Sequence, residues 1–240
     1  VQDIATQLLI DRIHPLLGDK TITVVISGLP ASGKTTLAEE LANSFGANAV
    51  RVSEDDFGNV PSEVRKEYLR EAINAGHMDR LVYLADPLDP RDNPYAPPIS
   101  RYDWIDLRKC LHELVAGRSY RRDNCWNQKN GKLDKSTTYV APPRPRGVIF
   151  IDSNCPLQFR DQIDLLVLIE IDPSIAAARR AERDAFRTDP GYRAYKQMVD
   201  RLHYQPYVGR IREQANFIIQ QTSEPGMMSK LISAIPPAPT

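Results

Sequence analysis

Eight residues constrain this chain more tightly than any other stretch: Gly28-Leu29-Pro30-Ala31-Ser32-Gly33-Lys34-Thr35 fits the pattern G-x-x-x-x-G-K-S/T. A β-rich run, TITVVIS (21–27), precedes it, and KTTLAEELANSF (34–45), which reads as a helix, follows. The order strand, glycine loop, helix is what gives the pattern its meaning. The glycines permit backbone angles that turn successive N–H groups inward onto phosphate oxygens, the lysine reaches the outer phosphates, and the threonine hydroxyl ligates Mg²⁺. The positive end of the following helix adds to the same field. Gly28, Ala31, Ser32, Gly33, Lys34, Thr35 and Thr36 are therefore candidate nucleotide-binding residues, with Thr35 also a candidate metal ligand.

The rest of the chain alternates strands with helices. Ile4, Leu8, Leu9, Ile13 and Leu16 lie at helical spacing before Gly18, which predicts an amphipathic helix within 1–20. NAVRVS (48–53) reads as a second strand, PSEVRKEYLREAINA (61–75) as a helix opened by proline, and YDWIDLRKCLHELVAG (102–117) as a helix stopped by Gly117. Residues 86–98, loaded with Asp, Pro and Asn, read as an irregular surface loop. SYRRDNCW and STTYVA, with Asn130-Gly131 between them, predict a β-hairpin. GVIFID (147–152) and LLVLIEI (165–171) are strands of the buried parallel type, SIAAARRAERDAF (174–186) is an arginine-rich helix, and NFIIQ (216–220) is a last short strand.

The expected fold is α/β: a three-layer P-loop NTPase fold with a parallel central sheet, helices on both faces and ligands at the carboxyl ends of the strands. A substrate-side β-hairpin and an Arg-rich lid helix at about 174–190 are additions to that core. The expected division is 1–20 for the N-terminal helix, 21–222 for the P-loop domain, and 223–240 for a C-terminal helix and Pro-rich tail. Val1 in place of methionine and the linker-like SAIPPAPT raise the expectation of a fused domain in a longer polypeptide.

Lysine plus arginine total 31, as do aspartate plus glutamate, so no global charge argues for nucleic acid or an anionic membrane as partner. The longest apolar run, 165–171, is strand-sized and falls well short of a membrane span. A soluble, cytoplasmic chain is expected. Cys110, Cys125 and Cys155 are widely spaced and suit reduced thiols better than a disulfide framework or a zinc site.

Several phosphate chemistries fail on context. Asp56-Phe57-Gly58 matches the magnesium-holding letters of a protein kinase, but neither an H-R-D catalytic loop nor a G-x-G-x-x-G loop accompanies it. The guanine-reading N-K-x-D string is absent, which argues against a GTPase. VIFID ends in the single Asp152 rather than the carboxylate pair of a motor ATPase. A small phosphotransferase fits better.

In order, ISGLPASGKTTLAEEL, VSEDDF, YDWIDLRKCLHELVAGRSY, GVIFID and IDPSIAAARRAERD resemble the uridine kinase and phosphoribulokinase group of P-loop kinases, over roughly residues 22–220. The resemblance implies ATP and Mg²⁺ on the donor side and a small-molecule alcohol as acceptor. That group carries S-x-D-S/D-F after a strand, its first aspartate taking the acceptor's proton. Carried over, Asp55 is the base and Asp56 a neighbour that positions magnesium or substrate. Asp152 falls where the group has an acid near the magnesium water shell. Arg179, Arg180 and Arg183 match its R-R-x-x-R-D lid helix, which closes over the nucleotide. Arg179 and Arg183, with Lys34, are then the candidates for stabilising transfer, and Arg180 for holding nucleotide.

Arg101, Tyr102, Asp103 and Trp126 are the acceptor-side candidates, Trp126 offering a stacking face that tolerates any base. Here the pattern departs from uridine kinases. YAPPISRYD replaces N-F-D-H-P-D-A-F-D, so the ribose-holding Asp falls opposite Pro97, and DNCW replaces P-x-Y-D on the hairpin. The implied reaction is transfer of the γ-phosphate of MgATP to a ribose hydroxyl of a nucleoside or nucleoside-like molecule. Pantothenate, a sugar or another alcohol stays open as acceptor, as does an ATP-sensing module that phosphorylates nothing.

Overall fold

The computed structural model describes residues 4–61, 63, 64, 67, 71, 74–76, 102–127, 129–183, 205–221 and 230–234. In chain order the elements are α1 (Ile4–Ile13), β1 (Ile22–Gly28), α2 (Lys34–Phe45), β2 (Ala49–Ser53), α3 (Trp104–Val115), β3 (Tyr120–Trp126), β4 (Leu133–Tyr139), β5 (Val148–Ser153), β6 (Leu165–Ile171), α4 (Pro173–Arg183), α5 (Gln205–Gln214), β7 (Phe217–Gln221) and β8 (Lys230–Ala234). Short 3₁₀ turns cover Glu54–Phe57 and Pro156–Gln162.

The alternation along β1 decides the layering, because successive side chains of a strand leave on opposite faces. Ile22, Val24 and Ile26 join Leu9 and Ile13 of α1 and Ala38, Leu41 and Phe45 of α2. Val25 faces the other way, into a cluster with Leu107, Leu111 and Leu114 of α3 and Ile211 of α5. The continuous apolar runs of β5 and β6 are apolar on both faces for the same reason: Phe150 and Val167 go to the first cluster, Ile151 and Leu168 to the second. Helices thus cover both faces of the sheet, as the sequence predicts.

Among the described residues the sheet runs β2-β5-β1-β6-β7-β8, with the first five strands parallel and β8 antiparallel. The chain leaves β1 with β5 on one side and β6 on the other, which puts the glycine loop at the carboxyl end of the sheet where the strand order reverses. The hairpin expected around Asn130-Gly131 is β3 and β4, paired antiparallel with a bulge after Arg122.

One expectation is corrected. A helix was expected within 223–240, but Lys230–Ala234 is the strand β8, paired to the outer edge of β7. An edge strand presents a row of unpaired N–H and C=O groups, and pairing with it outweighs a short segment's helical preference. The helix expected over 61–75 lies largely outside the described residues, as do the loop 86–98, Arg101 and the lid beyond Arg183. No helix among the described residues is long and apolar enough to cross a membrane.

Candidate active site

The glycine loop has the backbone its pattern predicts. Gly28, Ala31 and Gly33 take φ values of 151°, 69° and 90°, so the chain coils back and α2 starts at Lys34. A Cβ on Gly28 would lie 2.4 Å from the backbone oxygen of Ile169 and 2.8 Å from Ser32 Oγ. The first neighbour is strand backbone and has no room to yield. Gly28→Ala is therefore expected to cost about 2 kcal/mol or more, lowering the melting temperature by several degrees and abolishing ADP binding. Thermal melts and an ADP titration check this, and a variant with the parent's affinity would contradict the close packing of loop on β6.

Lys34 is buried, with Nζ donating to the carbonyls of Gly28 (3.1 Å) and Leu29 (2.9 Å). Burial pulls its ammonium down from the ordinary value of 10.5 to about 8, opposed by the negative charges of Asp152, Glu54 and Asp55. The hydroxyls of Ser27 and Ser32 are buried with no hydrogen-bond partner. A loop of inward backbone, a half-satisfied cation and orphaned hydroxyls fits a bound phosphate chain.

Asp152 is the last residue but one of β5 and lies opposite Ser53, the last residue of β2. Its carboxylate accepts from Thr35 Oγ1 (3.0 Å) and Ser53 Oγ (3.3 Å), and from Arg51 Nη1 (3.3 Å), which also reaches Glu39 (3.5 Å). Burial pushes Asp152 up to about 6, against the pull of Arg51. Thr35 and Asp152, the two predicted metal-side groups, are thus in contact. No cluster of three His, Cys, Asp or Glu able to hold a metal exists among the described residues. The donor set still fits Mg²⁺, which keeps several waters and leans on phosphate oxygens rather than on an all-protein cage.

The turn after β2 sorts three adjacent acids by direction. Glu54 and Asp56 are buried and Asp55 is half-exposed. Tyr102 OH lies 3.4 Å from Asp55 Oδ1, and the charge of Asp55 raises Asp152 and steadies the Lys34 ammonium. Of the three acids of this turn, Asp55 alone is not buried.

Asp56 is committed to the hairpin. Its oxygens accept from Lys135 Nζ (2.7 Å) and Tyr139 OH (2.7 Å), and burial together with that carboxylate pushes the tyrosine hydroxyl well above its ordinary range. Asp56→Ala strands the buried Tyr139 hydroxyl and is expected to cost about 1–3 kcal/mol, read as a lower urea midpoint at unchanged slope.

Arg122 is the hairpin's second anchor. It donates to the backbone oxygen of Asp56 (2.9 Å) and to Asp106, lies 3.7 Å from Asp103, and stacks 4.8 Å above the ring of Phe57. Asp103 caps α3, accepting from the Asp106 backbone N–H (2.9 Å), and its own N–H donates to Phe57 O (2.8 Å). Tyr102 pairs with Gly58 through a backbone bridge. Trp126 is half-buried against Gly58, where an added Cβ would meet its Cβ at 3.2 Å. Tyr102, Asp103 and Trp126 thus gather around the turn that carries Asp55.

In α4 the three arginines diverge. Arg180 is buried, on the same face as Ala176 one turn earlier, and its charge is felt at Lys34. Arg179 Nη1 donates to Gln221 Oε1 (2.9 Å), a side chain that also lies beside Gly33. Arg183 is exposed. Sequence reasoning assigned no role to Glu54, Arg51, Arg122, Lys135 or Tyr139. The hairpin residues carried one signal, strand parity: Arg122 shares it with Tyr120, and Lys135 with Tyr139.

No protein-family model matches this sequence, and no curated protein matches it. Solved structures do. A possible uridine kinase from Bacillus stearothermophilus is 17% identical, with a TM-score of 0.51 over 88% of this chain and 98% of its own. D-glycerate 3-kinase from Cryptococcus neoformans is 14% identical, TM-score 0.55, over 96% of this chain and 100% of its own. Phosphoribulokinase from Rhodobacter spheroides is 13% identical, TM-score 0.54, over 84% of this chain and 70% of its own.

Proposed function

We propose that this chain, which has the α/β fold of the uridine kinase and phosphoribulokinase group of P-loop kinases, is itself a kinase that transfers the γ-phosphate of MgATP to a hydroxyl of a nucleoside or nucleoside-like small molecule. The observation that carries this reading is Asp55, the one acid of the turn after β2 that is not buried, whose charge acts on both Lys34 and Asp152. A nucleotide sensor has no need of a carboxylate there.

The loop N–H groups and Lys34 hold phosphate oxygens, and Thr35 with Asp152 holds the Mg²⁺ side. Bound Mg²⁺ neutralises charge that develops on the phosphate oxygens during transfer. Asp55 orients the acceptor hydroxyl and takes its proton. Arg180, with Arg179 beside it on Gln221, offers positive charge to the transferring group, and Arg183 belongs to the same helix one turn on. Tyr102, Asp103 and Trp126 form the acceptor side, with Arg101 next to them in the sequence.

A second reading, a non-nucleoside alcohol as acceptor, is favoured by one feature. Asp56 and Asp103 are engaged by Lys135, Tyr139, Arg122 and the start of α3, so neither carboxylate is held in reserve for a ribose diol. ADP release from MgATP is the test, against adenosine, uridine, cytidine, nicotinamide riboside, pantothenate, simple pentoses and D-glycerate, with phosphorus NMR locating the phosphate on any product. A nucleoside product supports the first reading, and a pantothenate, sugar or glycerate product the second. ADP binding without turnover on any of them would remove the kinase assignment.

A further inference from the structure

Glu54 is the acid of the turn that neither the proposed reaction nor the hairpin uses. It is 1% exposed, and a carboxylate is buried this far only where donors replace its water. All four of its donors come from the three residues that follow Asp152: Ser153 Oγ, the backbone N–H groups of Asn154 (3.1 Å) and Cys155 (3.1 Å), and Asn154 Nδ2 (3.3 Å). The parallel pairing of β2 with β5 stops at Ser53 opposite Asp152. Beyond that pair the Glu54 side chain continues the join, taking backbone N–H groups that a longer ladder would have satisfied. The join is made where it is opposed, since the charges of Asp55 and Asp152 repel across it.

We propose that Glu54 is a positioning residue: it locks the turn bearing Asp55 to the segment after Asp152, so that the proton acceptor and the metal-side carboxylate keep one separation. The proposal rests on the kinase reading above. It extends past Ser53 the tie that Asp152 makes to β2 through Ser53 and Arg51, and it does so with a carboxylate the reaction does not need.

Titration calorimetry of ADP, with and without Mg²⁺, on the parent protein, Glu54→Gln and Ser153→Ala tests it. Glutamine keeps the volume but sets an amide NH₂ against donors. Outer-shell partners of a metal site typically govern about 10–100-fold in affinity, so the Mg²⁺-dependent gain in ADP affinity is expected to fall at least ~10-fold in Glu54→Gln. ADP affinity without Mg²⁺ is expected to stay within roughly twofold, because the phosphate loop is untouched. Ser153→Ala removes one donor of four and is expected to lose roughly threefold of the same gain. Equal losses with and without Mg²⁺, or a folded Glu54→Gln with the parent's full gain, would overturn the proposal. If Glu54→Gln does not fold, Ser153→Ala decides by the same criterion. A parent protein whose ADP binding ignores Mg²⁺ would strike down the metal assignment and the proposal together. A parent that responds, with variants that respond equally, strikes down Glu54 alone.

Discussion

Asp55→Asn is expected to lower turnover by about three orders of magnitude while leaving ADP affinity within roughly twofold, the range and selectivity of a lost general base. Asparagine keeps the shape of the side chain and a partner for Tyr102 OH, but it cannot take the acceptor's proton. Its neutrality has a second effect. The charge of Asp55 is one of the influences raising Asp152, so removing it favours the ionised form of Asp152 and should hold or tighten Mg²⁺-dependent binding. The variant thus separates binding from chemistry: ADP and Mg²⁺ titrations stay near the parent's while product formation with the acceptor found above collapses. Turnover within tenfold of the parent would mean that the proton leaves by another route and that Asp55 only shapes the turn.

The parts of this molecule that were legible in the sequence are those whose information is local. The β1-loop-α2 unit is written in residues that set backbone angles, and β5 and β6 in runs too apolar to leave either face in water. What was not legible depends on partners far along the chain. β8 is a strand because β7 offers it an edge. Asp55 and Asp56 are identical letters, and only the 3₁₀ turn after β2 decides that one stays half-exposed while the other meets Lys135 and Tyr139 on the hairpin. The burial of Glu54 rests on donors about a hundred residues later, which no spacing rule reaches. In α4 a helical wheel would have marked Arg180 as the buried arginine, since it follows the buried Ala176 by one turn, whereas the family pattern gives the three their roles without regard to burial.

Lys34→Met is expected to abolish turnover and weaken ADP binding by about tenfold or more, and yet to stabilise the nucleotide-free protein near neutral pH. The reason is the cost of keeping an ammonium buried. Its folded pKa of about 8 lies below the ordinary 10.5, so between those values the unfolded chain binds more protons than the folded one and stability rises with pH. Below pH 8 the whole penalty is present, on the order of 3 kcal/mol at most, and it fades as pH approaches 10.5. Against it stand the two loop carbonyls that methionine leaves unpaired, at about 1 kcal/mol each. The variant should therefore melt a few degrees above the parent at pH 7 and lose that advantage, or reverse it, by about pH 10. Paired melts across this range measure the difference directly, and a difference that does not move with pH would show that Lys34 is not strained in the empty loop. A moving difference would mean that the loop holds its cation at a cost until phosphate oxygens neutralise it, so that part of the affinity for nucleotide is relief of a penalty built into the empty fold.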